Sequence, residues 1–306
     1  MENKKRKAGG QALIEGVLMM ADNGYALSVR KQDGTIVTES KPFTKLVKRN
    51  KKLDFFPLRG IVTFIETLKI GFDSLNRSAD IYYETDSNKK NDLKTFFETF
   101  FTFIIAILIG FAIFLYLPIQ LVQLLKIGNQ FYFNLLIGLI RFIFFIVYLL
   151  LISQIKDIKR IFMYHGAEHK TVFAYENGEE LTVENTKKYS TKHPRCGTSF
   201  LFITLAFAII FYSFVDTIIF SVFKIVNTPL NRFINHIIFL PIVATISYEL
   251  LFLAEKFSKN ILIKILIYPG LLFQYITTKE PTDDMLEVSI TSLKESLKFN
   301  GEDGNA

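Results

Sequence analysis

Residues 131–170 read FYFNLLIGLIRFIFFIVYLLLISQIKDIKRIFMYHGAEHK. The stretch 131–153 is almost wholly apolar, with Arg141 as its one charge. About 20 such residues, at roughly 1.5 Å rise each, cross a hydrocarbon core as a helix. QIKDIKR follows at once, a basic flank of the kind that marks the cytoplasmic side of a span. Then Tyr164-His165-Gly166-Ala167-Glu168-His169-Lys170 brings two imidazoles and a carboxyl together. Membrane span, basic flank and histidine motif are contiguous, and the rest of the chain is read outward from them.

Composition agrees with a membrane chain. Of 306 residues, 50% are hydrophobic and 32 are Phe, while Trp is absent. The net charge of +7 belongs with basic flanks beside apolar runs, where Lys and Arg set orientation and meet anionic headgroups. No aromatic–basic recognition motif accompanies these clusters, so no nucleic-acid partner is expected. The single cysteine excludes an intramolecular disulfide. Heavy use of Lys, Asn, Ile and Phe fits a chain encoded by an AT-rich bacterial genome.

Four spans are expected, at about 97–125, 131–153, 199–226 and 236–252, giving a mainly α, polytopic helical membrane protein. Pro118 is expected to kink or end the outer part of the first. Residues 257–276 are apolar but broken by Lys264 and Pro269-Gly270, which suits a re-entrant or interfacial hairpin better than a fifth span. Residues 1–94 form a small α+β region. GGQALIEGVLMM is too short and too interrupted, by Glu15, for a secretory signal. Residues 25–40 alternate around Asp33-Gly34 as a β-hairpin. Residues 57–80 carry Ile61, Phe64, Ile65, Leu68, Phe72 and Leu75 on one helical face, the pattern of a helix lying on a membrane or packed on a domain.

Division into 1–94, a transmembrane domain 95–276 and a C-terminal helix and tail 277–306 follows. The tail helix carries a Leu286, Ile290, Leu293, Leu297 stripe. Basic residues crowd the segment before the first span and the 154–198 loop, so both belong on the cytoplasmic side of a bacterial inner membrane. Inside the spans, Arg141 reads either as a snorkelling residue or as a partner for Asp216. His236 reads as interfacial.

Three of the four histidines and the only cysteine fall between His165 and Cys196. On a helix continuing out of the second span and stopping near Asn177-Gly178, His165 and His169 share a face at i and i+4. Their His-x-x-Glu-His pattern is the inverted form of a zinc motif whose glutamate activates water. After a short helix opened by Thr182, His193-x-x-Cys196-Gly197 has the spacing of a zinc knuckle. Imidazoles with a thiolate suit Zn2+, or another divalent ion. If His165, His169, His193 and Cys196 all bind, the shell is closed and structural. If one stands off, the open position leaves work for Glu168 as general base. Glu249, near the cytoplasmic end of the fourth span, and Arg195 and Lys170 are candidate supporting residues. Lys156, Lys159 and Arg160 complete a basic surround for an anionic substrate.

The run YHGAEHKTVFAYENGEELTVENTKKYSTKHPRCGTSF, with GGQALIEGVLMM, PLRGIVTFIETLKIGFDSL and TTKEPTDDMLEVSI, resembles the bacterial YqhQ family of membrane proteins. The likeness covers most of the chain and includes every His, Glu and Cys position named above. It implies an integral membrane protein with a metal-dependent enzyme site, and brings no substrate with it. Two functions are therefore carried forward. One is a zinc-dependent hydrolase acting on a lipid-linked or membrane-proximal substrate. The other is a scaffold, channel or lipid-handling protein stapled by zinc.

Overall fold

The computed structural model describes residues 8–55, 58–84, 93–194, 196–256 and 260–301. The chain divides into two compact units, the first from residues 1–85, 152–199 and 257–306, the second from 86–151 and 200–256.

The first unit is built on a four-stranded antiparallel meander: β1 Gly9–Leu13, β2 Gly16–Met20, β3 Gly24–Arg30 and β4 Ile36–Pro42. The expected hairpin is β3–β4, turning at Gly34 with φ +87°. The stretch GGQALIEGVLMM, read only as a short apolar run, supplies a second hairpin. Glu15, its apparent interruption, is the tight-turn residue, with φ +50°. Its carboxylate is bound by Arg160 through Nε and Nη2.

The sheet is covered on both faces, which is why β2 is apolar without alternation. Val17 and Met19 pack with Tyr164, Ala167, Met285, Leu286 and Leu293. Leu18 points the other way, into a cluster with Leu13, Leu27, Val29 and Ile81. Each large side chain so buried contributes about 1.5–3 kcal/mol.

Two short helical turns, α1 Leu46–Arg49 and 51–53, lead to α2 Leu58–Tyr83. This helix lies against the sheet through Gly60, Thr63, Gly71, Ser74 and Ser78, small residues that allow close approach. The stripe expected to lie on a membrane or pack on a domain is divided: Ile65 is 59% exposed, Leu68 55% and Phe72 66%, while Leu75 packs against the sheet cluster. The opposite face of the sheet meets α6 Lys156–Glu176, α7 Val183–Lys187 and α11 Asp283–Leu297. The hydroxyl of Ser292, buried in α11, sits 3.0 Å from the Val17 carbonyl and 2.8 Å from that of Ala26. N-terminal strands, histidine loop and C-terminal tail therefore share one core.

Among the described residues, four helical segments of the second unit are long and apolar enough to cross a membrane: Phe100–Gln123, Gln130–Ile152, Leu201–Val222 and Pro229–Leu250. The first combines α3 Leu93–Phe111, a wide π turn 112–116 and α4 Leu117–Gln123, with Pro118 in the first turn of α4. The others lie in α5 Gln130–Ile152, α8 Gly197–Thr217 with its π-turn extension 218–222, and α9 Pro229–Lys256. The last begins well before His236, where the sequence reading had placed its start. Its opening turns are polar because Asn231 and Arg232 make specific bonds there. Residues 261–277 form one helix, α10 Ile261–Thr277, through Pro269, and it groups with the sheet.

Two local expectations change. The histidine-bearing helix does not continue the second span: Ser153 to Ile155 break the helix, and α6 starts afresh after an extended Ile155. Arg141 is not hydrogen-bonded to Asp216. It reaches His236, while Asp216 pairs with Arg232.

Candidate metal centre

Helix α6 carries His165, Glu168 and His169 on the side facing β1 and the 191–196 turn. His165 and His169 are one turn apart, with ring centroids 4.4 Å from each other. Asn177 and Gly178 end the helix, Gly178 at φ +76°. Thr182 opens α7 as expected, its hydroxyl accepting the Asn185 amide at 3.2 Å.

Each imidazole is oriented by a backbone carbonyl. His165 Nδ1 donates to Thr277 O at 2.8 Å, and His169 Nδ1 donates to Thr191 O at 2.5 Å. A proton held on Nδ1 leaves the Nε2 lone pair as the ligand, the tautomer that carbonyl partners impose on metal-binding histidines. Both Nε2 atoms turn to one place. Cys196 Sγ lies 3.2 Å from His165 Nε2, and the three ligand atoms of His165, His169 and Cys196 are all within 4.8 Å of one another. His169 is 2% exposed, and its Nε2 makes no well-formed hydrogen bond but faces the Cys196 sulfur and a Glu168 oxygen 3.4 Å away. A buried imidazole nitrogen left in this way, beside a thiol and a second imidazole, fits a soft divalent cation of the zinc type.

Close approach is enforced at two glycines. A Cβ at Gly166 would collide with the Lys279 carbonyl. That segment must lie flush on α6, since Lys279 N–H donates to Phe162 O at 2.9 Å and Thr277 O receives His165. At Gly10, in β1, a Cβ would meet Glu168 Cγ at 2.9 Å. The Gly10 amide donates to the Glu168 carboxylate.

Glu168 is buried, with one oxygen 3.4 Å from His169 Nε2. Desolvation pushes its carboxyl pKa up, against the opposing pull of His165 and His193. Burial pushes the His169 imidazole down, partly offset by the neighbouring Cys196 sulfur, and pushes His193 down as well.

His193 is not one of the three grouped ligand residues, although its ring centroid is 5.8 Å from that of His169. Its ring lies 4.3 Å from Phe173, and its Nε2 is 3.5 Å from a Glu176 oxygen. The Gln274 side chain holds its backbone at both ends, accepting the His193 amide at 2.8 Å and donating to its carbonyl at 2.9 Å. So clamped, the knuckle-like turn directs His193 and Cys196 to different neighbours. Lys170 is also committed elsewhere, its ammonium paired with Glu280 and bonded to the Lys187 carbonyl at 3.0 Å. Arg160 is taken by Glu15. Arg195 lies outside the described residues. Glu249 is half-buried in α9, in the second unit.

The residues that the sequence reading missed are those acting through the backbone, Thr191 and Thr277, together with the clamp Gln274 and the His193 neighbour Glu176. A carbonyl partner leaves no signature in sequence. Glu176, a half-buried carboxylate on the histidine helix, was visible by its helical spacing from His169.

A family described as "Protein of unknown function (DUF1385)" matches residues 56–299. The chain is 33% identical over 307 residues to the uncharacterized protein YqhQ of Bacillus subtilis (strain 168). That alignment covers 95% of this chain and 92% of the relative. No solved structure matches.

Proposed function

The chain belongs to the family described as DUF1385 and is a relative of YqhQ; from that premise and the site's geometry, we propose that it is a zinc-dependent hydrolase of the bacterial cell membrane, working at the cytoplasmic face. The observation that carries the proposal is the convergence of the carbonyl-anchored His165 and His169 rings with Cys196 Sγ, with His193 outside the group. A three-ligand set leaves one tetrahedral position open, the feature that separates reactive zinc sites from closed structural ones. Zinc held there would supply Lewis acidity and make a water acidic enough to lose its proton near neutral pH.

Glu168 is the group placed to take that proton. Its carboxylate adjoins His169 Nε2 but lies outside the three-atom ligand group. The Gly10 amide steadies it, and Thr191 and Thr277 hold the two rings. Cytoplasmic placement is supported by the Lys and Arg residues before the first span and after the second. Exposed Lys156 and Lys159 favour a substrate with negative charge, lipid-linked or membrane-proximal.

The test is Glu168→Gln in full-length protein purified in neutral detergent. Zinc is measured by elemental analysis, and turnover with p-nitrophenyl phosphate, bis-p-nitrophenyl phosphate and p-nitrophenyl acetate. Unchanged zinc with turnover lowered by about 10²- to 10⁴-fold is expected of a lost general base. A protein that takes up no zinc, or a variant as fast as wild type, refutes the proposal. Collapse only when His165, His169 or Cys196 is replaced, with Glu168→Gln indistinguishable from wild type, would instead mark zinc as a staple in a non-enzymatic membrane protein.

A further inference from the structure

The second unit has a polar site of its own, made from three of its membrane-spanning helices. Asp216 on α8 accepts from Arg232 Nη1 at 2.7 Å, and His236 Nε2 lies 3.2 Å from the same oxygen. Arg232, on α9, is 1% exposed and fully used. Its Nη2 donates to Asn134 Oδ1 at 2.8 Å and its Nε to Asn227 Oδ1 at 2.7 Å. Asn134 in turn donates to Thr217 at 2.9 Å.

Arg141, on α5, is not used up. Its Nη1 sits 3.4 Å from His236 Nδ1, while Nε and Nη2 are buried with no hydrogen-bond partner. Those two nitrogens form the side-on fork of a guanidinium, the pair that matches two oxygens of one anion. Asp216 Oδ1 is likewise buried and without a partner. His236, accepting at Nδ1 and donating at Nε2, is neutral in this arrangement, so two arginines face one carboxylate and the group carries one surplus positive charge. Charge in a membrane interior is costly and marks function by default.

Arg141, Asp216, Arg232 and His236 all line a single cavity of about 270 Å³, whose remaining walls are mostly apolar, among them Phe114, Phe142, Phe145, Leu205 and Ala208. It is close in size to small-molecule sites, which start at about 300 Å³. We propose that this cavity binds a phosphate monoester. Its two acceptor oxygens would meet the Arg141 fork. Its hydroxyl, present in the singly charged form, would donate to Asp216 Oδ1, and its one negative charge would cancel the surplus. A carboxylate supplies the acceptors but lacks the donor. The apolar walls suit an alkyl chain behind the phosphate. This site shares no residue with the histidine–cysteine group and does not depend on its reading.

The probes are dodecyl phosphate, inorganic phosphate, laurate and dodecanol, titrated by calorimetry into full-length protein in neutral maltoside detergent. Saturable binding of dodecyl phosphate is expected, stronger than laurate, with dodecanol showing none. Inorganic phosphate binding as tightly as dodecyl phosphate would support the site with free phosphate as its source. Weaker inorganic phosphate would support it with a lipid monoester. Arg141→Met should weaken binding on the order of tenfold or more, the effect of losing a charge-assisted pair. Ala208→Leu, which fills the cavity and leaves every charge in place, should weaken it too, and it decides the matter if Arg141→Met fails to fold by circular dichroism. Dodecanol binding as well as dodecyl phosphate, no saturable phosphate binding, or affinity untouched in a folded variant would overturn the proposal.

Discussion

His165 and Cys196, 31 positions apart in the chain, bring Nε2 and Sγ to 3.2 Å. On the His165 side the 277–280 segment lies close against α6 at Gly166 and the Thr277 carbonyl accepts from the His165 ring; on the Cys196 side the Cys196 amide closes a turn onto the His193 carbonyl at 3.3 Å.

Replacing any one of His165, His169 or Cys196 by Ala should therefore lower zinc affinity by more than about 100-fold, beyond the cost of a lost supporting partner. His193→Ala should keep one zinc per chain, because its Nε2 lies beside Glu176 rather than in the ligand group. Competition with a chromophoric chelator reads both. Zinc lost equally in all four variants would mean that the site closes with His193 inside it.

Gly166→Ala should damage the same site from a distance. The added methyl must push the Lys279 carbonyl away, at about 1–3 kcal/mol for overpacking. Thermal unfolding should shift down, and zinc affinity should fall although no ligand has changed. A variant with wild-type zinc affinity would show that Thr277 does not set the His165 ring.

Glu15→Gln and Arg160→Ala test the link between the first hairpin and α6. Glu15 is bound by two nitrogens of Arg160. Arg160 is about half exposed, so solvent screening reduces the pair to about 1 kcal/mol or less. Each single variant should lose a comparable amount of stability in chemical denaturation. The double variant should lose little more than either alone, and fully additive losses would show that the pair does not couple.

Asp216→Asn should be the most destructive single change among the spans. It leaves the Arg232 guanidinium buried with its charge unpaired, a loss of about 3–5 kcal/mol. Arg232→Met combined with Asp216→Asn should recover much of the unfolding temperature, because the Arg232 charge is removed together with its partner and only the Arg141 charge, already in surplus, remains. A single variant as stable as wild type would mean that water reaches this pair.

The four apolar spans, the β3–β4 hairpin and the grouping of His165, His169 and Cys196 were legible in the chain itself. Each follows from something local: runs of apolar residues, a turn glycine, imidazoles at i and i+4. Less local features escaped. The run GGQALIEGVLMM could not announce a hairpin, because strands buried on both faces lose the alternation that identifies them. The apolar stripe of α2 left open whether it meets a membrane or a domain, and the small buried residues Gly60, Thr63, Gly71, Ser74 and Ser78, which help make its packing surface, carry no hydrophobic signal. Arg141, read as a snorkelling residue or as a partner for Asp216, was the one arginine considered for Asp216, because Arg232 lay outside the expected span.

Sequence alone determined that apolar helices alternate with polar segments and that the metal-binding chemistry of this chain is concentrated in one loop, since both depend only on side-chain type and near-neighbour spacing. The tertiary structure decided that His165, His169 and Cys196 come together without His193, that Glu168 stays beside them, and that strands, loop and tail fold as one body. Those outcomes rest on backbone partners at Thr191, Thr277 and Gln274, and a backbone carbonyl or amide is the same at every position until the fold chooses which one a side chain will meet.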